Sequence, residues 1–255
     1  MANPGTNHPG SSADHGPAGT SERISAVISD PLPTEALAEN VVGRDVTAVE
    51  DGFGKLWRKR FWIRLAGASV TPEELIDVWK KRYTEFWPEG SHLYQPPEGL
   101  STGDVAAADL AMIGGTRVGT GIIVINDTDT SFSFATLQGH TFCGTITFSA
   151  AEEDGATVAR VDVLLRASDP IYEIGMPLGG HQHENKFWES SLRALAKYVG
   201  VEAEPGMEME VLDSHRHWRN VTNIVHNAFL HTALTVVTRP IRLALGRLRS
   251  GGQST

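Results

Sequence analysis

A chain of 255 residues is long enough for one sizeable domain with tails and short for two average ones. Its 22 Lys and Arg against 31 Asp and Glu leave a formal net charge of -9, which argues against a nucleic-acid partner, because phosphate binding relies on clustered basic residues. The single cysteine, Cys143, excludes an internal disulfide and a cysteine-built zinc site and suits a reducing compartment, so a cytoplasmic location is the expectation.

Residues 1–45 open with MANPGTNHPGSSADHGPAGTSER, dominated by Pro, Gly, Ser, Asn and His, and hold no basic stretch leading into an apolar one. They read as a disordered tail rather than a signal peptide, since so little apolar surface cannot offset the entropy of ordering. From Trp57 the run RKRFWIRLAG sets Phe61, Ile63 and Leu65 on one face and Arg60, Trp62 and Arg64 on the other, a half-buried strand. TPEELIDVWKKRYTEFW then predicts a helix with Thr71 as N-cap, Pro72 at the first helical position and Glu74 completing a capping box. Leu75, Val78, Trp79, Arg82/Tyr83 and Phe86 are its core stripe, and Lys80 to Arg82 form a solvated basic triplet. Residues 90–115, rich in Gly and Pro, predict a long connection holding one short strand around Val105 to Met112.

Four alternating runs follow: TRVGTGIIVIN, TSFSFATL, TFCGTITFSA and ATVARVDVLLRA, separated by the turn compositions NDTD, QGH and EEDG. They predict successive antiparallel hairpins with one apolar face, carrying Phe132, Phe134 and Thr136, then Phe142, Ile146 and Phe148, then Val161, Val163 and Leu165. NKFWESSLRALAKYVG is the cover for that face, a helix with the stripe Trp188, Leu192, Leu195, Val199 and a stop at Gly200. Residues 203–214 read as an acidic linker, 215–249 as a C-terminal helical segment with its pattern from His215 to Thr238, and 250–255 as a disordered end. The expected architecture is α+β.

Strand, helix, antiparallel meander and closing helix in this order, over residues 46–202, resemble the START-like (SRPBCC) helix-grip superfamily, which includes polyketide cyclases and lipid-transfer domains. The local likeness is strongest in FSFATLQGHTFCGTITFS, where Leu137, Gly139, His140 and Gly144 match a stretch of uncharacterised bacterial and plant members. The resemblance implies an antiparallel sheet wrapped around a C-terminal helix, with a hydrophobic cavity between them.

On that reading the ligand-binding candidates are Phe132, Phe134, Thr136, His140, Phe142, Phe148, Val163, Tyr172, Glu184 and Trp188, and the partner is a lipid or polyketide-like small molecule. His140, next to Gly139 at the presumed mouth, is the one candidate acid or base, titrating near neutral pH, with a turn histidine bonded to the backbone as the alternative. His181, His183 and Glu184 have the chemistry of a metal site, with His181 and His183 on the same side if the segment is extended; the competing reading makes Gly179 and Gly180 a loop before a helix capped near Glu184 or Asn185. A Tyr172 or Arg166 beside ASDPIYEIG could orient a polar head group. GGTRVGTG does not join a strand to a helix as a nucleotide-binding loop does, and no hydrolase elbow, zinc-protease pair or redox dithiol is present, so no cofactor is expected. Three functions stay open: a binding protein for an apolar molecule, a cyclase, dehydratase or hydrolase on the same scaffold, and a membrane-surface or oligomerisation adaptor, including a homodimer. The last rests on the C-terminal segment, where Arg239, Arg242, Arg247 and Arg249 follow an amphipathic stretch too polar to span a bilayer.

Overall fold

The computed structural model describes residues 40–95 and 99–235. The tail expected over 1–45 lies almost wholly outside these, as does the basic run from Arg239 to Arg249. The strands are β1 (Val46–Thr47), β2 (Leu56–Arg64), β3 (His92–Tyr94), β4 (Val105–Ala111), β5 (Arg117–Asp127), β6 (Ser131–Leu137), β7 (Phe142–Glu153), β8 (Ala156–Ala167) and β9 (Gly206–Asp213). The helices named here are α1 (Pro72–Lys81), α2 (Pro170–Gly175) and α3 (His181–Tyr198). All nine strands join one antiparallel sheet in the order β3-β4-β5-β6-β7-β8-β2-β9, with β1 paired to β6. Consecutive hairpins run from β3 to β8, and the N-terminal β2 closes on β8.

Alternation decides which face each strand buries. Phe132 sits opposite Phe148, Phe148 opposite Val161, and Val161 opposite Phe61, so one apolar face runs through four strands. Phe132 and Phe148 stack at 4.7 Å, and Trp79 of α1 meets Phe148 edge-on at 5.2 Å. Trp188 of α3 reaches the same Phe148 at 5.6 Å. Two helices therefore share one aromatic core, each buried ring contributing roughly 1.5–3 kcal/mol. A sheet that grips a long closing helix is the helix-grip α+β architecture, as the resemblance implies.

The ends of α1 show both the strength and the limit of that pattern. Thr71 Oγ1 accepts from the Glu74 amide while the Glu74 carboxylate accepts from the Thr71 amide, the capping box read from TPEE. The helix stops at Lys81, however, short of the predicted run. Arg82 leaves helical geometry, and a tighter 3₁₀ turn over Tyr83–Phe86 swings Tyr83 and Phe86 into the core.

Three segments differ from expectation. A short strand, β3, forms within the Pro- and Gly-rich connection and pairs with β4. The acidic stretch expected as a linker is β9, an edge strand on β2, where Glu208 and Glu210 pair with Arg60 and Arg58. The helix expected from His215 to Thr238 is a 3₁₀ helix over Trp218–His226, a break at Asn227 and a helix over residues 228–235. This C-terminal strap is fastened by side-chain amides: Asn220 Nδ2 donates to Glu50 O (2.8 Å) and Gly52 O (2.9 Å), and Asn223 Nδ2 to Asp51 O (2.7 Å) and Ser168 O (2.9 Å). These bonds tie the strap to the β1–β2 connection and to the residue that follows β8.

Candidate ligand-binding cavity

Between the concave sheet face and α3 lies a cavity of about 320 Å³. Tyr83 and Trp87 bound it from the 3₁₀ turn, Phe134, Ile146 and Val163 from the sheet, and Phe187 from α3. Residues of α2, the β6–β7 turn and Phe229 of the strap line another side. Among the ten predicted ligand-binding residues, Phe134, Thr136, His140, Phe142, Val163, Tyr172, Glu184 and Trp188 line this space. Phe132 and Phe148 do not; they are fully buried in the aromatic core with Trp79 and Tyr83.

The β6–β7 turn explains where His140 points. Gly139 takes φ +91°, a conformation that favours glycine, and a Cβ there would collide with His226 O of the strap. His140 follows, 7% exposed, and its Nδ1 accepts from the Phe142 amide at 3.0 Å with the Thr141 hydroxyl 3.3 Å away. Burial pushes its pKa down to about 4, opposed by the Phe142 bond. The expectation of a group titrating near neutral pH is thus corrected, because a desolvated ring has little to stabilise its cationic form. It is the backbone-bonded turn histidine of the alternative reading.

Histidines 181 and 183 lie in the first turn of α3, which begins three to four residues before the expected cap. Helical geometry therefore turns them to different surroundings. His181 packs edge-on to Trp57 at 4.4 Å, and burial, then Lys59 and Lys55, lower its pKa to about 4. His183 Nε2 bonds Ala111 O of β4 at 2.8 Å. Glu184 pairs with Lys59 at 2.6 Å, and burial raises its pKa against the opposing effect of that lysine. Among the described residues no three His, Cys, Asp or Glu side chains are grouped to hold a metal ion. The predicted trio is split among a ring contact, a backbone carbonyl and an ion pair.

Lys59 was not singled out from the sequence, yet its side chain is fully buried on the cavity side of β2, bonded to Glu184 and to Asn185 Oδ1 at 2.8 Å. Its parity with Phe61 and Ile63 was the available signal. Arg166 proves structural: it is buried, with Nη1 donating to Gly54 O (2.6 Å) and His215 O (3.1 Å) and Nη2 to Asp213 at 2.5 Å. Cys143 is buried as well, its thiol pushed up to about 12 chiefly by desolvation, so it lacks the thiolate character of a nucleophile.

The strap docks at the end of the cavity formed by α2 and the β6–β7 turn. Asp169, fully buried, caps α2 through Ile171 N (2.8 Å) and Tyr172 N (3.1 Å) and accepts from Asn227 Nδ2 at 2.6 Å. The next two strap amides then split: Ala228 N donates to Gly139 O at 3.0 Å and Phe229 N to Tyr172 Oη at 3.1 Å. Burial raises the Tyr172 pKa and keeps the phenol protonated. Among the described residues no helix is long and apolar enough to cross a membrane.

No family model matches the sequence, and no curated protein matches it. Solved structures do match. Protein Ms6760 from Mycobacterium smegmatis is 13% identical with a TM-score of 0.39, over 60% of this chain and 94% of that one. Major latex-like protein 151 from ginseng (Panax ginseng) is 12% identical with a TM-score of 0.41, over 58% and 99%. The di-domain ARO/CYC StfQ of the steffimycin biosynthetic pathway is 11% identical with a TM-score of 0.45, over 59% of this chain and 52% of that one. The helix-grip fold is read from the strand order and the seat of α3 themselves.

Proposed function

We propose that the protein binds an apolar small molecule in the cavity between the sheet and α3. The observation that carries this reading is the cavity itself: about 320 Å³ walled mainly by aromatic and aliphatic side chains, with a few polar groups at its edges. Ligand sites are typically concave, largely apolar and furnished with few polar groups. A packed core would have closed such a space, because voids forfeit contacts on every wall. Acid-base catalysis by His140 is the weaker reading, since its Nδ1 is committed to the Phe142 amide and its ring is neutral.

The neutral fluorophore N-phenyl-1-naphthylamine should bind with saturable, one-to-one stoichiometry. Ala108→Phe, which fills the space from β4, should abolish binding while the far-ultraviolet dichroism is retained. Native mass spectrometry of protein from its own host should show a co-purified small molecule. Absence of saturable binding to the unaltered protein would overturn the reading.

A further inference from the structure

We propose that the strap end of the cavity recognises an uncharged carbonyl oxygen on an otherwise apolar ligand, a ketone, ester or amide, with the His140 imidazole and the Tyr172 hydroxyl as donors. The proposal rests on the binding reading above and names the chemical class that the site takes.

His140 offers only one free ring nitrogen. Nδ1 accepts from the Phe142 amide, so in the neutral ring the proton sits on Nε2. Among the described residues nothing accepts that proton, although the ring is 7% exposed and lines the cavity. Tyr172 is in the same condition. Its Oη accepts from the Phe229 amide, its own O–H finds no acceptor among the described residues, and the ring is 8% exposed on the cavity wall.

The strap ties both residues to the same end of the cavity. Consecutive strap amides, those of Ala228 and Phe229, bond Gly139 O beside His140 and Tyr172 Oη. Two hydrogens that no described residue accepts, on the wall of a largely apolar space, are best answered by an acceptor carried in by the ligand. A carbonyl oxygen, with two lone pairs and no proton of its own, answers two donors and leaves nothing unpaired. A hydroxyl would add a donor needing its own acceptor, and among the described cavity-lining residues the one buried unpartnered side-chain acceptor, Glu184 Oε1, belongs to α3 and its pair with Lys59 rather than to the strap. A carboxylate would enter without compensation: no Lys or Arg lines the cavity, Glu184 does, and Asp169 stands three residues before Tyr172.

Three probes of nearly equal shape separate the possibilities on the full chain: 2-acetylnaphthalene, 2-isopropenylnaphthalene, in which a methylene replaces the oxygen, and 2-naphthoate. By calorimetry the ketone should bind about tenfold more tightly than the hydrocarbon, and the carboxylate most weakly. The infrared carbonyl stretch of the bound ketone should lie below its value in hexane. Tyr172→Phe should weaken ketone binding about fivefold and leave the hydrocarbon unchanged, so any loosening of the strap cancels in the comparison. Equal affinity for ketone and hydrocarbon, a carbonyl stretch at its hexane value, or preference for naphthoate would each overturn the carbonyl assignment while leaving a binding cavity. Failure of both neutral probes to bind would remove the binding reading along with it.

Discussion

His140 and Lys59 show what a folded environment does to residues whose types alone suggest other behaviour. Desolvation lowers the folded-state pKa of His140 to about 4, below the ordinary histidine value. The unfolded chain therefore takes up a proton there that the folded one refuses, and stability is full above about pH 6.5 and falls as pH drops toward 4. His140→Asn keeps a short acceptor for the Phe142 amide and has no titrating group. In denaturant titrations from pH 7 to 4, the unaltered protein should lose roughly 3 kcal/mol more than this variant; equal losses would show that His140 is not the group responsible. Lys59 is a case of buried charge held by a partner, its side chain fully enclosed and Glu184 only 10% exposed. Lys59→Met should cost about 3–5 kcal/mol by stranding the carboxylate, and adding Glu184→Leu should recover most of it. A double variant no more stable than the single one would count against this account. The lysine was legible only through parity, because RKRFWIRL presents it among surface-like basic residues while its register places it beside Phe61.

At the scale of elements, legibility followed how local the determining interactions are. The capping box that starts α1 and the alternation of β5 to β8 are written within short windows, and these elements appear where the residues place them. Strand β9 is different: Met207, Met209 and Val211 alternate with Glu208 and Glu210, but the acidic residues find their meaning only opposite Arg60 and Arg58 on β2, about 150 positions earlier. The same contrast fixes the size of two substitutions. Thr71→Ala removes one cap and should cost about 1 kcal/mol. Gly144→Ala acts on a strained point of β7, where φ is +152° and a Cβ would run into Leu164 O across the hairpin, and should cost well above that, on the order of 3 kcal/mol. Thermal unfolding of the two variants side by side measures both, and an equal effect would mean that β7 can relax around the new methyl group.

At the scale of the whole molecule the described residues form a gripping sheet with a strap across one end of its cavity, and the strap was the part least legible in advance. Its polar residues read as reasons against a membrane span, whereas Asn220, Asn223 and Asn227 are fasteners whose targets lie on the β1–β2 connection, after β8 and at the cap of α2. Asn227 holds the most exacting contact, because Asp169 Oδ2 is fully buried and has no other side-chain partner among the described residues. Asn227→Ala should leave that oxygen unsatisfied at a cost of about 1–3 kcal/mol, borne first by the segment that opens most easily. In hydrogen exchange the amides of Ala228 and Phe229, which bond Gly139 O and Tyr172 Oη, should lose roughly ten- to a hundredfold protection. Amides in the β7–β8 ladder should stay the more protected set in both proteins, since they exchange through openings larger than that of the strap. If Ala228 and Phe229 instead exchange as slowly as the ladder in the unaltered protein, the strap unfolds only with the whole domain, and access to the cavity must run through another wall.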